Sequence, residues 1–276
     1  METGGCFMPS LKVKSRYILL NVLFLVGGLA LSWGFASHFF EILTLDYNAE
    51  DLVGTKEEIR RNFISQISTW EIFVDSSMFY LINFIPALFI LTTLGLFSEK
   101  RSLYVFGRNR YKSLKKAIYK DVIQYVLLST SIVVGSFLIF YSIGAIFVYR
   151  SIENIGGFAS MLPKDFYSNH PYLFFIFMTC TIYLALAFVF SLLSCALILL
   201  TDREYKVILL VVVIYFVYGR IGSYTGSVWF DIFASFTAFN TLYTTVEVFL
   251  PLILLFIISL CLLVVGVNKT VRNMEY

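Results

Sequence analysis

The sequence predicts an all-α integral membrane protein. It has six transmembrane helices, cytoplasmic termini (N-in/C-in) and a re-entrant hairpin between helices five and six. Three observations predict it. The 276 residues are 59% hydrophobic and 14% charged, too few polar side chains to cover a water-soluble core. Six charge-free stretches divide the chain, at 17–40, 76–98, 122–149, 171–200, 207–219 and 248–268. All but the fifth reach the roughly 20 residues that a bilayer core about 30 Å thick requires. Positive charge also gathers in alternate gaps between them.

These stretches place spans at about 17–40, 76–98, 122–149, 171–200, 206–224 and 248–268, in a single transmembrane domain covering 1–276. With the N-terminus inside, segments 1–16, 99–121, 201–206 and 269–276 face the cytoplasm and carry 15 of the 21 Lys and Arg residues. The reverse orientation would translocate the eight basic residues of 99–121, against the positive-inside bias. The first stretch has a signal-peptide-like basic flank (Lys12, Lys14, Arg16) and small residues at Ala30, Ser32, Ala36 and Ser37. Its apolar run exceeds the usual length of about 7–15 residues, so a retained anchor is expected.

The segment 41–75, outside in this topology, is acidic, with eight carboxylates against three bases. Thr55 and Glu58 have capping-box spacing. Ile59, Phe63, Ile64, Ile67 and Trp70 recur at helical spacing. An outer amphipathic helix over about 55–73 follows, with Trp70 at the headgroups. Such a helix either caps an outward exit or simply ties two spans together. Pro86, beside Asn83 in the second span, is expected to kink that helix. Pro171 and Pro251 fall in first turns, where a missing amide costs nothing. Asn169 and Thr244 or Thr245 are capping candidates.

The fifth span is irregular. Residues 207–218 make only about 18 Å of helix. Gly219, Gly222 and Gly226 follow, each weakening a helix by about 1 kcal/mol. Residues 227–240 are mostly apolar and aromatic, with Asp231 the single charge. A span that breaks near the outer surface, then a short helix dipping back, accommodates both facts. Arg220 and Asp231 would pair or snorkel to the interface. An uninterrupted fifth helix from Tyr205 to Tyr224 is the alternative. Both keep six crossings.

The chemistry-bearing residues are sparse. Cys6, Cys180, Cys195 and Cys261 form no C-x-x-C, and His38 and His170 lack ligand spacing. The cysteines read as packing residues, and no metal is expected. No phosphate-binding loop, G-x-S-x-G or H-E-x-x-H occurs, so neither ATP binding nor intramembrane catalysis is expected in this chain. Arg220, Asp231 and Glu247 are the only ionisable residues close to the spans' interior. All three sit near the outer edge, where they suit an outer gate better than a proton relay.

Segment 99–121 joins an apolar patch, 103–106, through Gly107 to a basic helix leading into the third span. Its lysines suit anionic headgroups. The exposed aromatic patch suits a groove on a cytoplasmic protein. Six spans, a Glu just after the second, a short helix and an Arg-containing turn resemble the permease subunit of type-2 ABC exporters. The resemblance implies that Glu99 is the family's carboxylate and that 100–106 is a coupling helix. Arg108 and Arg110 would follow it, and a hairpin would occupy about 222–240. Leu103, Tyr104 and Phe106 would dock, with Glu99, Arg108 and Arg110, on a separate ATPase present in two copies. ATP and Mg would bind there, not on this chain. A second permease chain, identical or related, would complete the complex in the plasma membrane. No nucleic-acid partner is expected. The aromatic content, 18%, points to an amphipathic or hydrophobic cargo, or merely to packing against lipid. The other open readings are a non-transporting accessory or sensor protein and an intramembrane enzyme.

Overall fold

The computed structural model describes residues 11–47, 53–101, 113–148, 151, 157–163, 165–240 and 243–275. Among these there is no β-strand. Five helices are long and apolar enough to cross a membrane: Ile18–Ala36, Leu114–Gly144, Pro171–Leu200, Glu204–Thr225 and Thr245–Asn273. Leu23, Phe24, Leu209, Val217, Ile257 and Val265 point outward from them and are exposed. In water so broad an apolar surface drives association; in lipid it is the expected exterior. The chain is an integral, multi-pass membrane protein.

Helix α1 (Leu11–Ala36) ends where His38 takes a left-handed backbone, φ 58°. Helix α2 (Phe39–Thr44) follows. Helix α3 (Lys56–Ile67) begins with the expected capping box: the Thr55 amide donates to Glu58 Oε2 at 3.0 Å, and the Glu58 amide to Thr55 Oγ1 at 3.4 Å. Ser68 and Thr69 interrupt the helix expected to run to about 73, and α4 (Trp70–Phe79) starts afresh. Trp70 is the first residue of α4 rather than part of α3. It is buried, its ring stacked on Phe175 with centroids 5.5 Å apart.

The stretch expected as one kinked second helix is a chain of short pieces. After α4 come a 3-10 turn (Leu81–Asn83), α5 (Ile85–Ile90), a second 3-10 stretch (Leu91–Gly95) and α6 (Leu96–Arg101). Pro86 lacks an amide and its ring would strike the carbonyl four residues back. It sits instead in the first turn of α5, where neither defect matters. Backbone groups freed at such breaks need partners at membrane depth, and other helices supply them. Ser32 Oγ on α1 donates to Ser76 O (2.8 Å) and accepts from the Tyr80 amide (3.1 Å). On α7 (Leu114–Gly144), Ser129 donates to Phe89 O at 2.7 Å. Tyr215 of α11 (Glu204–Thr225) donates to Ile82 O at 3.0 Å.

The middle of the bundle is the stretch Pro171–Leu200. It comprises α9 (Pro171–Met178), a π turn (Thr179–Tyr183) and α10 (Leu184–Leu200); the short α8 (Phe166–Asn169) precedes it. Phe174, Met178, Tyr183, Phe190, Leu193 and Ile198 are fully buried, as a helix apolar on every side must be. Asn169 does not cap it; Asn169 closes α8, and His170 occupies the cap position without a side-chain bond.

Helix α11 does not break at its glycines; it runs unbroken to Thr225 and ends at Gly226, φ 63°. Gly219 and Gly222 serve close approach instead. A Cβ on Gly222 would lie 2.6 Å from the Phe230 carbonyl carbon, and one on Gly219 would enter the Phe233 ring. Against this face lie a 3-10 turn (Val228–Phe230) and α12 (Ile232–Phe236), and another 3-10 turn (Ala238–Asn240) follows them. Ser235 Oγ anchors them to Val248 O (2.7 Å) in α13 (Thr245–Glu275), and Tyr183 donates to Phe236 O at 3.3 Å.

Candidate functional site at the base of the basic loop

Helix α6 ends in Glu99-Lys100-Arg101, the last described residues before the basic loop. Each is held by a different part of the bundle. Glu99 is buried, 6% exposed, on the side facing α7, where Tyr125 donates its hydroxyl to Oε1 at 2.7 Å. Lys100 turns the other way, to the end of α10. Its ammonium donates to three carbonyls: Ile198 (2.9 Å), Leu199 (3.2 Å) and Thr201 (2.6 Å). Arg101 donates to Asp202 O at 2.7 Å, with its guanidinium near the Phe97 ring.

The last carbonyls of a helix have no partner inside it and carry its negative dipole end. Cations are their natural complement, and α10 receives more than these two. From α13, Lys269 donates to Leu200 O (3.1 Å) and Thr270 to Leu199 O (3.4 Å). Burial lowers the pKa of Lys100 below its ordinary value; the Asp202 carboxylate, 4.0 Å away, works in the opposite direction. Lys269 and Arg101 add to the lowering. One helix end thus gathers α6 and α13, while Glu99 joins α6 to α7.

The other residues assigned to this site from the sequence, Leu103, Tyr104, Phe106, Arg108 and Arg110, lie outside the described residues. Lys100 and Arg101, assigned there to the start of a coupling helix, belong to the last turn of α6; Lys100 is turned into the bundle, while Arg101 is exposed and bonds Asp202 O.

The three gate candidates do not converge. Arg220 is exposed and makes no ion pair with Asp231 within 4.0 Å. Asp231 instead caps α12 through the Ala234 amide (3.2 Å) and accepts from Tyr243 (3.2 Å). Glu247 accepts from the Thr244 amide (2.8 Å) and hydroxyl (2.9 Å) at the start of α13. The residue that ties this region together is Tyr218, whose single hydroxyl proton is shared between Trp229 O (2.7 Å) and Pro251 O (3.0 Å). Sequence reasoning missed Tyr125, Tyr215 and Tyr218 because it read tyrosine in a span as apolar bulk. The usable signal is that a tyrosine hydroxyl at membrane depth needs an acceptor.

Among the described residues no three His, Cys, Asp or Glu side chains gather as a metal site. Cys195 is buried, and Cys180 and Cys261 are exposed. An apolar groove of about 350 Å³ lies between α10 and α13, lined by Leu184, Phe188, Phe249 and Phe256 among others. No family model, curated protein or solved structure matches the chain.

Proposed function

We propose that this chain is the permease subunit of a type-2 ABC exporter. Six crossings place both termini in the cytoplasm of a cell bounded by the plasma membrane. The broken stretch from α4 to α6 is the second crossing. Its 23 uncharged residues, 76–98, span about 35 Å at helical rise, enough for a core about 30 Å thick. The segment 226–240 is the re-entrant hairpin.

The observation that carries the reading is the buried Glu99, held by Tyr125 on one side of a helix end whose Lys100 grips α10 on the other. A carboxylate kept from solvent at the root of a basic segment is costly unless it is hydrogen-bonded or paired, and the Tyr125 hydroxyl supplies such a bond. Here it fixes the loop's departure point against α7 and α10. Force applied to the loop by a partner then reaches the bundle. That partner is a separate ABC ATPase, two copies per complex, binding ATP and Mg. Differential contact of the loop with its nucleotide states biases the bundle between inward and outward forms. A second permease chain, identical or related, faces this one. The cargo is amphipathic or hydrophobic: a peptide, drug or lipid.

Two experiments test this. Mild detergent extraction of the tagged chain is expected to retain an untagged ABC ATPase; a stable chain that never does so is an accessory or sensor protein instead. A cysteine placed at Arg110 is expected to react with a membrane-impermeant maleimide only in inverted vesicles or permeabilised cells. Labelling from the exterior of intact cells overturns the topology and the transport reading with it.

A further inference from the structure

We infer that Lys100 is a positioning residue that passes displacement of the basic loop to the central helix α10; this rests on the reading of the chain as an ATP-driven permease. The last turn of α6 is the last described structure before the basic segment, and α7 is the first helix described after it. Whatever moves that segment pulls on the last turn of α6. Its three residues are attached in different ways. Glu99 accepts from Tyr125 of α7, and Arg101 donates to Asp202 O. Lys100 meets α10 through three carbonyls spread over Ile198, Leu199 and Thr201, and its side chain is only 18% exposed.

Three bonds from one ammonium to the carbonyls of Ile198, Leu199 and Thr201 resist sliding along the helix axis and rotation about it. They act at the end of the most enclosed helix in the bundle. Thr93 of the broken stretch, within hydrogen-bond distance of Ser194 (2.7 Å), adds a second tie one turn deeper along the same pair of elements. The grip is specific to a cation: the α10 carbonyls accept and cannot donate, and the helix dipole favours positive charge there. Lys269 gives the same end a further cation from α13, so α10 stays capped when Lys100 is removed. Loss of Lys100 therefore cuts transmission more than it melts the helix.

The test uses the intact complex of permease and ATPase and follows amide hydrogen exchange with no nucleotide and with ADP trapped by orthovanadate. In the unaltered protein, trapping is expected to change exchange at least twofold both in 102–112 and in 197–206. Lys100→Met is expected to keep the response in 102–112 and lose it in 197–206. Lys100→Arg, which retains the donors and the charge, is expected to restore it. A response in 197–206 that survives Lys100→Met, or one that Lys100→Arg fails to restore, overturns the inference. If no ATPase accompanies the chain, the permease reading and this inference both fall. If the ATPase binds and trapping never affects 197–206 in the unaltered protein, only the inference falls.

Discussion

The Tyr215 hydroxyl of α11 donates to the carbonyl of Ile82, 3.0 Å away and 133 residues earlier in the chain. Ile82 lies in the turn where Pro86 prevents a continuous helix, so its carbonyl has no regular helical partner. Tyr215 itself is 1% exposed, its ring packed edge-on against Phe190, Phe233 and Phe236. Tyr215→Phe preserves that packing and removes only the bond. It is expected to cost about 1 kcal/mol, the scale of interhelical hydrogen bonds in membranes, in reversible unfolding from mixed micelles. An unchanged midpoint would show that the break in the second stretch holds without Tyr215.

Glu99 offers a graded series. Tyr125→Phe deletes the 2.7 Å bond to its carboxyl and is expected to destabilise by about 1–3 kcal/mol, as for a hydrogen bond to a charged group. Glu99→Gln keeps an acceptor and is expected to be milder than Glu99→Ala. Thermal melts of the purified chain check the order; equal losses for Gln and Ala would remove the bond as the cause.

Two glycines at the end of α11 are expected to fail for different reasons. Gly222→Ala drives a methyl into the Phe230 backbone, so segment 228–240 must move and Cys labelling introduced at buried Ser235 is expected to accelerate. Gly226 has open space around it, and its φ of 63° is the sole obstacle. Gly226→Ala is expected to cost about 1 kcal/mol, and Gly226→Asn less, since Asn tolerates the left-handed region. Equal melting points for the Ala and Asn variants would contradict this.

The Glu58 carboxyl is held below its ordinary value of 4.5, first by the Thr55 amide and then by the Thr55 hydroxyl. A lowered folded pKa means that the stabilisation is full above the unfolded value and fades as pH falls through the folded one. Exchange protection of the first amides of α3 is therefore expected to drop as pH falls below about 4.5. Glu58→Gln is expected to flatten that step. A step that persists in Glu58→Gln belongs to another group.

Some local chemistry was readable from spacing: the Thr55–Glu58 capping box and the placement of Pro171 at a helix start. Two local expectations did not hold: Asn169 does not cap α9, and Pro251 stands inside α13 rather than in its first turn. Two larger failures share a cause. Gly219, Gly222 and Gly226 read as helix breakers because propensity sees only the local chain. In the fold, two of them give room to residues 228–233, and only Gly226 ends the helix. Likewise Trp70 matched a membrane-surface stripe by period, yet Phe175, over a hundred residues on, decides its burial.

The sequence alone determined that this chain lives in a membrane, since length and apolar content suffice for that. It did not determine which helix lies at the centre. Of the five long apolar helices, Thr245–Asn273 has the highest mean hydropathy, 3.2, yet the most enclosed is Pro171–Leu200, at 2.6. Lipid tails are as apolar as leucine, so hydropathy cannot separate a lipid-facing side chain from a protein-facing one. Only packing does so: Ser191, Ser194, Cys195 and Ala196 are all buried along α10, small enough to let neighbours close in. The tertiary structure likewise decided that hydroxyls on three other helices mend the broken second stretch, because no spacing rule links Tyr215, Ser129 or Ser32 to the carbonyls they serve.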